Sequence, residues 1–130
     1  MRLRLQGGLP FVSATILHGD QRLELSNVLL DTGSRGTVFA SDRLWSIGLQ
    51  YTMDDMLHRI RGVGGGEFVF LKRVDRLEVG EFSVRDFVVQ AGAMDYGFEI
   101  DGILGMDFLT RIGAVIDLAY LEIHGGMASG

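Results

Sequence analysis

The residues with the most chemical potential lie in "NVLLDTGSRGTVFA", residues 27–40. Val28, Leu29 and Leu30 form an apolar run, and Asp31 follows directly. A carboxylate placed there is poorly solvated, and burying its charge unpaired costs several kcal/mol or forces it to take up a proton. Thr32 and Ser34 add hydroxyls, and Gly33 adds an unhindered backbone, as a site approached closely by another group needs. A strand ending in an ordinary Asp-Thr-Gly turn uses the same residues. Three residues do not separate these readings.

A second stretch, "RIRGVGGGEFVFLKRV", sets Gly62, Val63, Gly64, Gly65 and Gly66 between two strand-like arms. This pattern predicts a long hairpin with a mobile tip. The competing reading is a phosphate-binding loop. It lacks the Lys-Ser/Thr of a P-loop, Glu67 stands at the last glycine of a dinucleotide fingerprint, and a strand rather than a helix follows. His18, His58 and His124 have no metal-ligand spacing, and the chain has no cysteine. No metal and no cofactor is therefore expected.

The elements that must position these residues are short strands. Leu3 and Leu5 alternate with Arg2 and Arg4. "PFVSATILHGDQRLELSNVLL" predicts a hairpin turning at Gly19-Asp20, whose second strand loses its alternation at Val28 and enters the interior. "SDRLWSIGL" predicts a short helix capped by Ser41, with Asp42 at its positive end and Gly48 terminating it. "RLEVGEFSVRDFVVQ" predicts a hairpin turning at Gly80-Glu81, with a bulge near Arg85-Asp86 where the apolar phase changes. Ile103-Leu104-Gly105 predicts a buried strand, "MDFLTRIG" a helix, and "AVIDL" and "YLEI" closing strands. Residues 1–124 form one domain and 125–130 a flexible tail.

Composition narrows the function. A chain of 130 residues with 47% hydrophobic content suits a single domain with its own core. The net charge of −5 argues against a nucleic-acid surface, and the local excess at Arg59, Arg61, Lys72, Arg73 and Arg76 reads as a solvated face. Charged residues interrupt every apolar run well short of the ~20 residues a membrane span needs. "MRLRLQGG" lacks an apolar signal core, which favours the cytosol, while the cysteine-free composition is equally compatible with the periplasm.

In order along the chain stand an apolar strand into Asp31-Thr32-Gly33-Ser34, a Gly-rich hairpin, and Ile103-Leu104-Gly105 followed by a short helix. This set resembles the retropepsin-like aspartic proteases, the single-domain relatives of pepsin, from about Leu5 to Ile123. "DGILGMDFLTRIGAVIDL" is similar to the bacterial and ubiquitin-associated branches of that group. The resemblance implies a mostly β, closed barrel-like acid-protease fold of one lobe, with a flap hairpin and one or two short helices.

It also implies an aspartic endopeptidase. One chain carries a single Asp-Thr-Gly, so a homodimer sets the Asp31 carboxylates of two chains against each other on a two-fold axis. Two carboxylates ~4 Å apart repel by about 4 kcal/mol at an effective dielectric of ~20, so the pair holds one proton over a wide acidic range. The ionised member then activates a water and the protonated member polarises the scissile carbonyl of an extended peptide.

By the same resemblance, Asp31, Thr32 and Gly33 form the catalytic turn. Thr32 reaches the partner backbone, Gly33 donates its N–H to Asp31, and Ser34 bonds the outer carboxylate oxygen. Residues Gly62, Val63, Gly64, Gly65 and Gly66 form the flap; Arg35, which fits the pattern less well, either pairs with an acid or contacts substrate. Ile103, Leu104 and Gly105 support the site, with Gly105 leaving room for a strand passing beneath it. The segment "GAMDYGFEID" covers the cleft edge or builds the interface. Leu3, Leu5, Leu121 and Ile123 are interface candidates. Turn formation remains the plainer role for Thr32 and Ser34, and a flexible loop for the glycines. A catalytically silent dimer that binds peptides or scaffolds a partner is the competing function.

Overall fold

A computed structural model describes residues 1–62, 65–94 and 99–126. The expected flap-tip residues Val63 and Gly64, residues 95–98 of the polar segment and residues 127–130 of the tail lie outside the described residues.

The strands are β1 (Arg4–Gln6), β2 (Leu9–His18), β3 (Gln21–Leu30), β4 (Val38–Ala40), β5 (Leu57–Gly62), β6 (Gly65–Val79), β7 (Phe82–Gly92), β8 (Gly102–Leu104), β9 (Ala114–Asp117) and β10 (Glu122–Gly125). The helices are α1 (Ser41–Trp45) and α2 (Met106–Arg111). The large sheet runs β1-β2-β3-β8-β4-β7-β6-β5, and β2 also pairs with β6. That extra pairing, through Ile16↔Leu77, closes six strands into a barrel, so the protein is mostly β with two short helices. β1 and β5 extend beyond the closure, and β9 and β10 form a separate hairpin.

Alternation explains the core. Ile16, Leu23, Leu25, Val28, Leu30, Val74, Leu77, Val84 and Val89 point inward and are buried. Phe108 of α2 plugs the barrel, with its ring edge-on to Phe87 at 5.9 Å between centroids. The β2–β3 hairpin turns at Gly19-Asp20 and the β6–β7 hairpin at Gly80-Glu81, as the sequence predicts.

Some expectations change. Ser41 does not cap α1: the N-cap is Ala40, with no side-chain cap bond, and Ser41 is already helical. The phase change near Arg85-Asp86 is not an inserted residue. Arg76↔Arg85 and Val74↔Phe87 keep one register, and both strands change phase together at Asp86, whose φ is +50°. A register shift occurs instead between Val12 and Ala14 on β2. Leu5 is 53% exposed because β1, among the described residues, pairs only with β2, beyond the barrel. The side chains of Leu3 and Ile123 are buried in the chain's own core. β10 takes in Gly125, and Gly126 N–H donates to Gly113 O at 2.6 Å, past the expected boundary at residue 124.

The base of the β5–β6 hairpin is clamped by charge. Lys72 Nζ lies 2.9 Å from Asp55 Oδ2, with their side chains only 16% and 13% exposed. The same carboxylate accepts the Thr52 N–H at 2.7 Å, and Leu71 N–H donates to Met56 O at 3.1 Å. The hydrogen bond from Lys72 holds the Asp55 carboxyl below its ordinary value of 3.8, desolvation opposing it and the Thr52 N–H adding to it. A depressed native value stabilises the fold above the unfolded value and is lost as pH falls through the native one. Wild type is therefore more stable than Asp55→Asn at neutral pH, and the difference closes below about pH 4. Denaturant titrations from pH 3 to 7 check this; a difference that persists undiminished into acid contradicts it.

Candidate active site

The site is built where β3 ends. Val28 and Leu30 are buried in the main core, and Leu29, half-buried, packs on a smaller cluster of Phe11, Ile100 and Ile103. β3 pairs in parallel with β8 through Leu29↔Ile103 and Leu30↔Leu104. Asp31 extends that ladder by one bond, its N–H donating to Leu104 O at 3.0 Å. Ile103 and Leu104 thus fix the backbone of Asp31 from the neighbouring strand.

The chain then turns. Ser34 N–H donates to Asp31 O at 3.1 Å, and Gly33 N–H donates to Asp31 Oδ1 at 3.0 Å. A Cβ on Gly33 would stand 3.2 Å from that same oxygen, so a larger residue would crowd the carboxylate. Asp31 is half-buried, and Thr32 and Gly33 are exposed beside it. The Asp31 carboxylate is therefore held at Oδ1 by a backbone donor, in a half-buried residue beside two exposed ones.

Ser34 stands differently from the expectation. Its hydroxyl donates to Gly36 O at 2.7 Å rather than to the carboxylate, which tightens the 34–36 turn. Arg35 is exposed and forms no ion pair among the described residues, while its carbonyl accepts the Asp107 N–H at 3.1 Å. Gly105 is needed for close approach, but to the loop rather than to a strand beneath. A Cβ there would overlap the Gly36 carbonyl and lie 2.9 Å from Ser34 O. Gly62 pairs with Gly65 and Arg61 with Gly66 at the far end of the β5–β6 hairpin, which the structure does not join to Asp31 by any bond among the described residues.

Two residues that sequence reasoning passed over hold the turn in place. Thr37 is fully buried, and its N–H and hydroxyl donate to Asp107 Oδ2 and Oδ1 at 3.1 and 2.7 Å. The Thr37 hydroxyl in turn accepts the Gly105 N–H at 3.1 Å, and Asp107 Oδ1 also accepts the Phe108 N–H at 2.7 Å. With Met106 N–H on Ser34 O at 2.8 Å, these bonds bolt the 31–37 loop to the start of α2. The available signal was a threonine entering a buried strand and an aspartate in the first turn of a short helix. Asp101, also buried, does similar work: it accepts the Asn27 N–H at 3.1 Å, joining β3 to β8.

Removing one partner from a buried bond costs more than the bond itself contributes, because the other partner stays dry and unpaired. Asp107→Ala is therefore expected to destabilise the fold by about 2–4 kcal/mol, and Asp107→Asn by less, since one acceptor oxygen remains. Equilibrium denaturation measures both; equal losses, or losses under ~0.5 kcal/mol, contradict the bolt.

Among curated proteins none matches the chain. The family model described as aspartyl protease matches residues 12–108, a span that takes in the strand before Asp31, the Asp31 turn, the β5–β6 hairpin, β8 and the start of α2. The chain belongs to the retropepsin-like aspartyl protease family.

Proposed function

We propose that the protein is an aspartic endopeptidase that works as a homodimer, with Asp31 of each chain on one water. The observation that carries this reading is the Asp31 turn: a carboxylate fixed by the Gly33 N–H at 3.0 Å, anchored by β8, and half-buried beside exposed Thr32 and Gly33. One chain offers one such carboxylate in an Asp-Thr-Gly setting, half of what the reaction needs. A second copy supplies the other half, and Thr32, exposed next to Asp31, is free to reach it.

The chemistry follows from the pair. Two close carboxylates retain one proton between them. The ionised one takes a proton from the water as it attacks the carbonyl carbon, and the protonated one donates to the carbonyl oxygen. Collapse of the tetrahedral intermediate returns a proton to the departing amine, breaks the C–N bond and leaves one carboxyl protonated. In this reading the β5–β6 hairpin is the flap, and its Lys72–Asp55 clamp gives it a firm base.

In this reading the apolar neighbours of Asp31 suit an apolar substrate side chain. Leu29 lies two residues before Asp31 on the same face of β3, and its cross-strand neighbours are Phe11 and Ile103. Met94 packs on the same cluster, and a cavity of about 430 Å³ lined by Gln6, Gly7, Leu9, Phe11 and Glu99 opens beside it. A peptide bound in extended form presents alternate side chains to such a wall.

The test is cleavage of a diverse peptide pool by wild type and Asp31→Asn. Wild type is expected to cut, with activity highest in acid and falling toward alkaline pH as the shared proton is lost. Asp31→Asn is expected to lose about 10²–10⁴-fold or more. A dimeric wild type that cuts nothing, or undiminished activity in Asp31→Asn, overturns the reading, and the first outcome favours a peptide-binding role.

A further inference from the structure

We infer that Arg35 and Gln90 form a receptor for an acidic side chain of the substrate, which gives the protein a preference for aspartate or glutamate a few residues from the cut. The inference rests on the peptidase reading and names a substrate class for that same site.

Two hydrogen-bond donors beside the Asp31 turn lack an acceptor. Arg35 is exposed and pairs with no acid among the described residues. By contrast, Arg22 meets Glu24, Lys72 meets Asp55, Arg73 meets Asp86 and Arg76 meets Glu78. Gln90, on β7, is half-buried, and its side-chain amide lies against Gly36. Its Oε1 is buried without a partner. Its Nε2 makes no bond among the described residues and is not shut away as Oε1 is. A polar group left dry and unbonded is destabilising, and a leucine of similar volume would pack there without that cost. The fold gains nothing from this amide, so its use lies with a bound group.

Gly36 brings the two side chains together. It is buried, and a Cβ there would overlap Gln90 Nε2, so only glycine lets the amide lie beside Arg35. β4 and β7 set the register: Val38 stands opposite Gln90, whose N–H donates to Thr37 O at 2.9 Å. The loop is fixed from its other side as well. Arg35 O accepts the Asp107 N–H at 3.1 Å, and Gly36 O accepts the Ser34 hydroxyl at 2.7 Å. Both carbonyls are thus engaged within the protein, and the loop offers the Arg35 side chain to solvent.

Distance selects which substrate residue is read. The Ser34 N–H on Asp31 O closes a four-residue turn. The ends of such a turn lie within ~7 Å, and the next Cα is ~3.8 Å further, so Arg35 Cα stands within about 11 Å of Asp31 Cα. An extended peptide advances ~3.3 Å per residue, so a guanidinium rooted there reaches side chains about two to four residues from the bond held at Asp31.

An arginine's planar fork suits a carboxylate, which it binds through two bonds. The rest of the molecule works against an acidic peptide. The net charge is −5, and the Asp31 pair adds a negative charge at the centre of the site. A preference for acid therefore needs a dedicated cation. In a two-fold dimer Arg35 occurs twice, once on each side of the cut, so the preference is expected on both sides.

The test uses matched peptides that differ only in carrying Glu, Gln or Lys at these positions, at about pH 6, where a substrate Glu is ionised. Wild type is expected to favour Glu over Gln by about 3- to 10-fold in kcat/KM, chiefly through KM, with the difference fading in about 0.5 M salt. Arg35→Glu is expected to reverse the order in favour of Lys, and Gln90→Leu to narrow the Glu preference. Arg85 is exposed on β7, about 16 Å along the strand from Gln90. Arg85→Glu makes the same change in net charge and is expected to keep the wild-type order. Wild type without a Glu preference, a preference that survives Arg35→Glu, or a reversal by Arg85→Glu as well overturns the receptor and leaves the peptidase reading standing. Fluorescence anisotropy of the same peptides on Asp31→Asn separates the two claims. If wild type cuts nothing while Asp31→Asn binds the Glu peptide more tightly, and adding Arg35→Glu abolishes this, the receptor stands and the peptidase reading falls. Peptides that are neither cut nor bound overturn both.

Discussion

Everything at the site depends on the carboxylate of Asp107 meeting the N–H and hydroxyl of Thr37. Thr37 is dry, so its polar groups must be satisfied within the protein. Asp107 satisfies them while holding the Phe108 N–H at the start of α2, and the Thr37 hydroxyl passes the link on to Gly105. One side chain thereby fixes the loop after Asp31, the entry to α2 and the end of β8. Gly105 must be glycine because this link draws its backbone against Ser34 and Gly36.

The barrel supplies what the bolt cannot. β8 runs between β3 and β4, parallel to one and antiparallel to the other, so the strand leading to Asp31 is central rather than at an edge. A reactive group at the end of a central strand has its backbone held on both sides while its side chain stands at the rim. That arrangement lets the rest of the surface, including the exposed residues of β1, vary without moving Asp31. The apolar row of Phe11, Leu29 and Ile103 lies across the same ladder that ends at Asp31.

Much of this was legible in the sequence, and what was not has a physical cause. The run Val28-Leu29-Leu30 before Asp31 marked a strand entering the interior because both of its faces are apolar, and the hairpin turns followed from Gly19-Asp20 and Gly80-Glu81. The role of Gly33 is local to its turn and was readable. Ser34 was not, because only the folded loop decides which acceptor its hydroxyl takes, and there it takes Gly36 O. Thr37 and Asp107 stand 70 residues apart, and no local pattern announces a bond between them. The phase change at Asp86 was visible, but a single strand does not reveal that its neighbour shifts with it. Leu3 and Leu5 have the same local pattern and opposite fates, since only Leu3 lies over the barrel floor while β1 extends past it.

In the proposed mechanism the reactive centre exists only when two chains meet. The most direct measurement is the rate of peptide cleavage as a function of enzyme concentration, beside sedimentation across the same range. The rate is expected to rise with the square of concentration when the chain sediments as a monomer. It should become proportional to concentration where the mass doubles. A rate proportional to concentration throughout the range in which the chain is monomeric would contradict it.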